Sequence, residues 1–572
     1  MSEVNKAIAK ALAKAIAAEG VKEENVLALL EKPPNPELGD FAFPCFKLAA
    51  QLKKAPQQIA AELHEKMAKI SGVERIETAG AYLNFFVEKG FAAKKIIPKI
   101  TGEKQKFGLS KEGRGKKALI EFCSPNANKP LHLGHLRNIC LGESIARLYE
   151  AKGFKVPRTQ VVNDRGIHIT KTMLAFKLFG KGKTPQKEKK KPDHFVGDYY
   201  VKYNKEAAKN TGMEMQAQEL LRKWEKKEKE AVALWKKITK WVLEGFNETY
   251  KELNVKFDKT FFESQLYEKG RKIVNEGVKK GVFKKKEGAV IVELEEFGLP
   301  NKILLRSDGT SLYMTQDLFL AKKKFEEFKF QQSIYVVGSE QNLYFRQLFK
   351  TLELLGFKWA NRLRHLSYGM VNLPSGKMKS REGTVVDADN LLAELRQLAE
   401  KELKKRYKLD KKELEKRKNA ISLAAVKFYL LKTDAAKDML FNPEESISFE
   451  GETGPYVLYS YARAKSIKRK ARETYLKKIK FDMLKEDSEK KLVLKLAEYE
   501  NALGDSFRNL SPHTLCHYLL ELASAFNSFY HELPVLKAEK DVMPARLELV
   551  EATAHVLKNG LNVLGIEVLE KM

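Results

Sequence analysis

Lys117 to Asn138 reads KALIEFCSPNANKPLHLGHLRN, and the fold turns on how this stretch is read. The apolar run from Ala118 to Cys123 predicts a buried strand. A loop punctuated by Pro125 and Pro130 follows, carrying His132, Gly134 and His135, and helical spacing then continues to about Ala151. A parallel strand delivers such a loop to the carboxyl edge of a sheet. There the next helix turns its free N–H groups and positive dipole end toward whatever anion is bound. Two imidazoles at this spacing donate to phosphate oxygens, and Gly134 lets a flat base approach the backbone. Taken alone, HLGH reads equally as a helix start with two polar surface histidines. A metal pair is disfavoured, because the first carboxylate downstream is Glu143, about two helical turns beyond His135. No metal held by the protein is expected.

A second loop, Gly376 to Thr384 (GKMKSREGT), brings Lys377 and Lys379 to the same kind of site after another strand. Together, HLGH and KMKS resemble the paired signature of class I aminoacyl-tRNA synthetases. The longer runs SPNANKPLHLGHLRN, RSDGTSLYMTQDLFLA, YVVGSEQ and SREGTVV, in this order, resemble the arginyl-tRNA synthetases, and the resemblance covers nearly the whole chain.

The resemblance implies ATP-dependent activation of L-arginine and its transfer to tRNA(Arg), in the cytoplasm, by a monomer that needs tRNA for activation. It implies ATP contacts from Lys129, His132, Gly134, His135, Met370, Lys377 and Met378, with Mg²⁺ riding on the phosphates. The usual lysine loop reads Lys-Met-Ser-Lys, whereas here it reads Lys377-Met378-Lys379-Ser380. Arginyl members often carry a lysine just before the histidine motif instead, and Lys129 stands there, so Lys129 joins His132, His135, Lys377 and Lys379 as the expected catalytic set. Arginine would be held at its guanidinium by Glu121, Tyr313 and Asp317, and at its other end by Ser124, Asn126, His132 and Gln341.

Composition bounds the rest. A chain of 572 residues can bury several cores. Its net charge of +30, from 105 Lys and Arg against 75 Asp and Glu, favours a polyanionic partner, although a Lys-rich surface of thermophilic style would look the same. The four cysteines form no CxxC pair, which speaks against a zinc ribbon or a disulfide framework. The opening MSEVNKAIAKALAKAIAAEG reads as an amphipathic helix rather than a signal peptide, and no apolar run suits a membrane span.

The expected architecture is multidomain α/β. Residues 1–112 form an N-terminal α+β domain and 113–395 a Rossmann-like catalytic domain with a Lys-rich helical insertion at about 180–255. Connecting helices (396–450) and an α-helical bundle (451–572) complete it. The sheet pattern should include Ala289–Glu293, Ile303–Arg306, Ser333–Gly338 and Leu363–Met370, placing Glu340 and Gln341 at a carboxyl end. In AGAYLNF, Tyr82 and Asn84 share a strand face; a buried Tyr and a turn Asn is the plain reading, and a base-reading pair is what the family implies. Tyr456 to Arg472 mixes aromatics with six Lys and Arg, as a packed helix with basic edges would, or as a grip on single-stranded RNA would. Tyr456, Tyr459 and Arg463 are the candidates there. The Lys-rich run 181–192 is read as a solvated loop. A shorter nucleotidylyltransferase would lack the basic helical tail, and a noncatalytic RNA-binding relative would have lost the histidines or the lysine loop.

Overall fold

The computed structural model describes residues 3–16, 22–88, 90–210, 212–374, 386–471 and 479–572. The loop Gly376–Thr384, with Lys377, Met378 and Lys379, lies outside them.

At the N-terminus, β1 (Phe41–Pro44), β2 (Val73–Ala79) and β3 (Tyr82–Val87) form an antiparallel sheet in the order β1-β3-β2. Gly80, at φ +59°, makes the tight turn between β2 and β3. The helices Glu3–Ala15 and Pro56–Lys66 pack their apolar stripes on this sheet, burying Ile8, Leu12, Ile59 and Leu63 with Phe43 and Phe85.

The central sheet is built from β4 (Ala118–Glu121), β5 (Arg158–Val162), β6 (Lys259–Phe262), β10 (Gln332–Gly338) and β11 (Leu363–Tyr368). All are parallel, in the order β11-β10-β4-β5-β6. The order reverses between β4 and β10, so the two chains leave their carboxyl ends in opposite directions and open a crevice. The histidine loop leaves one side of it, and Glu340 and Gln341 leave the other.

Two expected sheet members are elsewhere. Residues 289–293 and 303–306 belong to a separate antiparallel meander, β7 (Lys284–Lys286), β8 (Ala289–Val292) and β9 (Lys302–Leu305). An edge of the parallel sheet is instead formed by β6, whose two aromatic residues Phe261 and Phe262 pack under neighbouring helices. The segment before β6 is helical as expected: Pro192–Ala207, Gly212–Glu225 and Lys229–Glu252 cover the helix Ile167–Phe179. Beyond residue 390 the regular elements among the described residues are helices except for β13 (Met439–Leu440), an unexpected two-residue strand that pairs with β12 (Val371–Asn372).

The C-terminal helices Gly454–Lys470, Pro512–Glu532 and Met543–Val563 pack as a bundle, whose core is continuous with that of the sheet. The helix Phe91–Glu103 also packs on this bundle, where Asn559 Nδ2 donates to the carbonyl of Lys104 at 2.8 Å. All four cysteines are buried free thiols.

Candidate active site

The chain leaves β4 abruptly. Cys123 takes φ +52°, a costly conformation for a residue with a side chain, and its N–H is caught at 2.6 Å by the side-chain carbonyl of Asn138. The same amide donates from Nδ2 to the Val336 carbonyl (2.8 Å) and the Tyr368 hydroxyl (3.0 Å). Asn138 therefore ties the ends of β4, β10 and β11 together from one turn inside the helix Leu133–Ala151. Gly142, on the next turn, lies where any Cβ would fall 2.2 Å from the Phe122 ring, so helix and loop meet closely.

The helix is capped by its own motif. Gly134 N–H donates to His132 Nδ1 at 3.2 Å, and His132 N–H donates to His135 Nδ1 at 3.1 Å. Each Nδ1 is thus an acceptor, which fixes the proton of both neutral rings on Nε2. Burial, then the nearby Lys129, pushes His132 down to about 4, and burial with the charges of His132 and Lys129 pushes His135 well below its usual value. At neutral pH the motif presents two uncharged Nε2–H donors, with ring centroids 3.8 Å apart. A Cβ on Gly134 would stand 3.1 Å from the His132 ring, so any larger residue there presses on the ring that makes the cap. Lys129 is half-buried, its burial lowers its pKa, and it makes no ion pair among the described residues.

On the other side of β4 lies an acidic slot. Glu121 is buried against Lys324, itself 1% exposed and stacked 4.5 Å over the Tyr335 ring. Asp317 accepts a short hydrogen bond from the Tyr344 hydroxyl. Burial lifts it to about 6 against the opposing effects of Tyr344 and Lys324, and the charge of Glu121 adds to the rise. Glu263 is raised to about 7, chiefly by burial. Tyr313, 67% exposed, stands at the start of the helix that carries Asp317. Ser124, Asn126, Glu340 and Gln341 are exposed along the same rim, at the ends of β4 and β10. Met370 is half exposed just beyond β11, with its N–H bonded to Asp438 Oδ1 at 2.6 Å.

The fully buried Arg137 holds this rim from beneath. Its Nη1 donates to the carbonyls of Gly369 (2.7 Å) and Met370, and its Nη2 to those of Asp434, Ala435 and Lys437 (2.9 Å).

The RNA candidates divide. Tyr82 is half-buried and meets Phe46 edge-to-face at 5.6 Å, whereas Asn84 is only 4% exposed and sits within the sheet core. In the bundle, Tyr459 and Arg463 line a cavity of about 420 Å³ with Tyr407, Arg417 and Tyr530. Tyr456 faces inward, its hydroxyl accepting from Asn527 at 3.1 Å.

Sequence reasoning missed Asn138, Arg137, Lys324, Tyr344 and Phe46. Lys324 carried a usable signal, lying two helical turns after Asp317. The carbonyl partners of Arg137 and Asn138 are far away in sequence and left none.

The chain matches known proteins throughout its length. The family described as "tRNA synthetases class I (R), catalytic domain" matches residues 96–443, "Arginyl tRNA synthetase N terminal domain" matches 2–87, and "DALR anticodon binding domain" matches 457–572. An arginine–tRNA ligase of Treponema denticola is 44% identical over 559 residues, covering 95% of this chain and 94% of that protein. One from Borrelia turicatae is 40% identical, covering both chains completely. The structure of Thermus thermophilus arginyl-tRNA synthetase superposes with a TM-score of 0.83 at 28% identity, covering 100% of both chains. The paired histidines on a parallel sheet and the acidic slot beside them thus belong to a chain of the class I arginyl-tRNA synthetase family.

Proposed function

We propose that the chain activates L-arginine with ATP and transfers it to tRNA(Arg), with the labour divided along the crevice between β4 and β10. Two carboxylates, Glu121 and Asp317, face the single ammonium of Lys324, so the slot keeps one negative charge when both acids are ionised. That surplus is the observation that carries the reading. It suits one guanidinium, a planar and permanently charged fork, with the Tyr344 hydroxyl holding Asp317 in place. Tyr313 closes the slot, while Ser124, Asn126 and Gln341 meet the amino-acid end.

Activation is attack of the arginine carboxylate on the α-phosphate of ATP, with pyrophosphate leaving. Charge grows on phosphate oxygens in flight, so preplaced donors are what catalysis requires. His132 and His135 offer Nε2–H groups, and the helix start at Gly134 adds its dipole. Lys129 brings an unneutralised cation held in a partly dry setting, and takes the phosphate role that the shifted lysine loop vacates. Lys377 and Lys379 complete the set from the second loop, and Met370 and Met378 flank the base.

Magnesium arrives with the nucleotide. The phosphate side offers a cation and two neutral rings, which are not ligands for a hard ion. Asp193, His194 and Asp389 come within 4.8 Å of one another, but the Lys191 ammonium lies 2.7 Å from Asp389 and 3.3 Å from Asp193, where an ion would sit. Among the described residues, that cluster therefore offers no cage for the ion. The enzyme works as a cytoplasmic monomer, with Tyr82 meeting one folded RNA loop, Tyr459 and Arg463 gripping another, and Asn84 and Tyr456 supporting them from inside.

Arginine-dependent ATP–pyrophosphate exchange tests the reading, run with and without tRNA and against a panel of other amino acids. Exchange should appear with arginine alone among them. Equal exchange with lysine would overturn the slot.

A further inference from the structure

Behind the histidine loop lies an ionic cluster that the reading above does not use. Asp389 Oδ2 pairs with His194 Nε2 at 2.7 Å and with Lys191 Nζ at 2.7 Å. Lys191 also reaches Thr249 Oγ1 at 2.5 Å and Asp193, which is fully buried. Asp387 caps the helix Ala388–Arg406, its Oδ1 accepting the N–H groups of Asp389 (2.9 Å) and Asn390 (3.0 Å). Its other oxygen is buried, accepts no hydrogen bond among the described residues, and lies 3.4 Å from His194 Nε2.

The cluster bears on the phosphate site through the backbone. His132 and Asp387 form an antiparallel bridge, flanked by Leu133 N–H to Val386 O (3.1 Å) and Ala388 N–H to Leu131 O (3.0 Å). The segment that holds the His132 backbone is thus the one whose carboxylates close on His194. A cavity of about 240 Å³ joins the two, lined by Lys129, His132, His194, Tyr200 and Asp387.

We propose that His194, as an imidazolium bridging Asp387 and Asp389, is a positioning residue that fixes the backbone of His132 for ATP. This rests on the reading that His132 serves the phosphates. Three carboxylates, Asp193, Asp387 and Asp389, face Lys191 and His194. With His194 charged, one negative charge is left over; with it neutral, two, and Asp387 and Asp389 repel.

Around His194 stand Asp193 on its own helix, Lys191 before that helix, Asp387 and Asp389 at the start of the helix Ala388–Arg406, and Lys129, His132, Asp198 and Tyr200 about the cavity. Burial lowers its pKa, but the hydrogen bond to Asp389 and the charges of Asp387 and Asp193 outweigh burial and raise it. The charge that tightens the brace is therefore present below the raised value and lost as pH rises through it.

The test is ATP–pyrophosphate exchange across pH with tRNA present, on wild type, H194Q and H132A. Wild type should show an alkaline limb in which KM for ATP rises about tenfold while kcat stays nearly constant. H194Q should show the higher KM at every pH and no limb. Mass-spectrometric C2-hydrogen exchange on wild type gives the midpoint of His194 directly, and it should coincide with the limb. Absence of the limb, a midpoint that disagrees, or wild-type KM for ATP in H194Q would overturn the proposal. If H132A raises KM for ATP and H194Q does not, this inference alone fails; if H132A leaves it unchanged, the phosphate-site reading fails first.

Discussion

Lys129 and Asp317 are opposite cases of one problem, a charge held where water is scarce. Lys129 is a half-buried cation that pairs with no anion among the described residues. Lys129→Ala should cut exchange by roughly 10²–10³ while leaving tRNA affinity within about twofold; wild-type exchange would remove Lys129 from the phosphate site. Asp317 is a half-buried acid whose proposed partner is a cation. Its value of about 6 in the free protein lies above that of an unfolded aspartate, so its protonated form adds stability that is lost as pH rises through about 6. Holding a guanidinium, as proposed for Asp317, requires the opposite form. KM for arginine should therefore climb as pH falls below about 6, and Asp317→Asn should raise it by about tenfold to a hundredfold and flatten that climb. An unchanged KM would place the guanidinium elsewhere. Glu121 and Asp317 were legible as acids near a strand end and a helix start. That Lys324 already claims one of them was not, because the pairing crosses from one element to another.

Elements were legible where period and length agreed. The run Ala118–Cys123 and the alternation around Gly80 gave strands at nearly their observed bounds. Alternating apolar residues in 289–306, however, read the same whether a strand joins a parallel sheet or an antiparallel meander, and nothing local separates the two. β6 was hidden because four residues beginning with lysine carry too little periodicity. Asn138 is the joint on which these strands meet, and removing its amide orphans one buried N–H and one carbonyl. Asn138→Ala should lower unfolding free energy by about 2–4 kcal/mol in denaturant titration, with β4 and β10 losing amide-exchange protection together. A loss confined to helix-end amides would mean that the joint is not shared.

Across the whole molecule, the catalytic helix is bolted to the C-terminal bundle. Arg147, paired with Glu143, donates to the Asn562 carbonyl at 3.0 Å, and the buried Lys427 donates to the carbonyls of Leu253 (2.8 Å) and Gly565 (2.6 Å). RNA gripped at Arg463, as we propose, is held by a body joined to the crevice. Arg463→Ala should raise KM for tRNA several-fold and reduce the salt slope of binding by about one, leaving KM for arginine untouched. An unaltered slope would take Arg463 off the RNA surface.

The burial of all four cysteines has a practical corollary. Burial pushes Cys45 up to about 11, Cys123 and Cys140 up to about 12, and Cys516 well above its usual value. None offers an accessible thiolate to an alkylating reagent at neutral pH. The native chain is accordingly a silent background for maleimide chemistry, in which a single cysteine introduced at the surface would take a fluorophore or spin label by itself, with no native thiol to remove first.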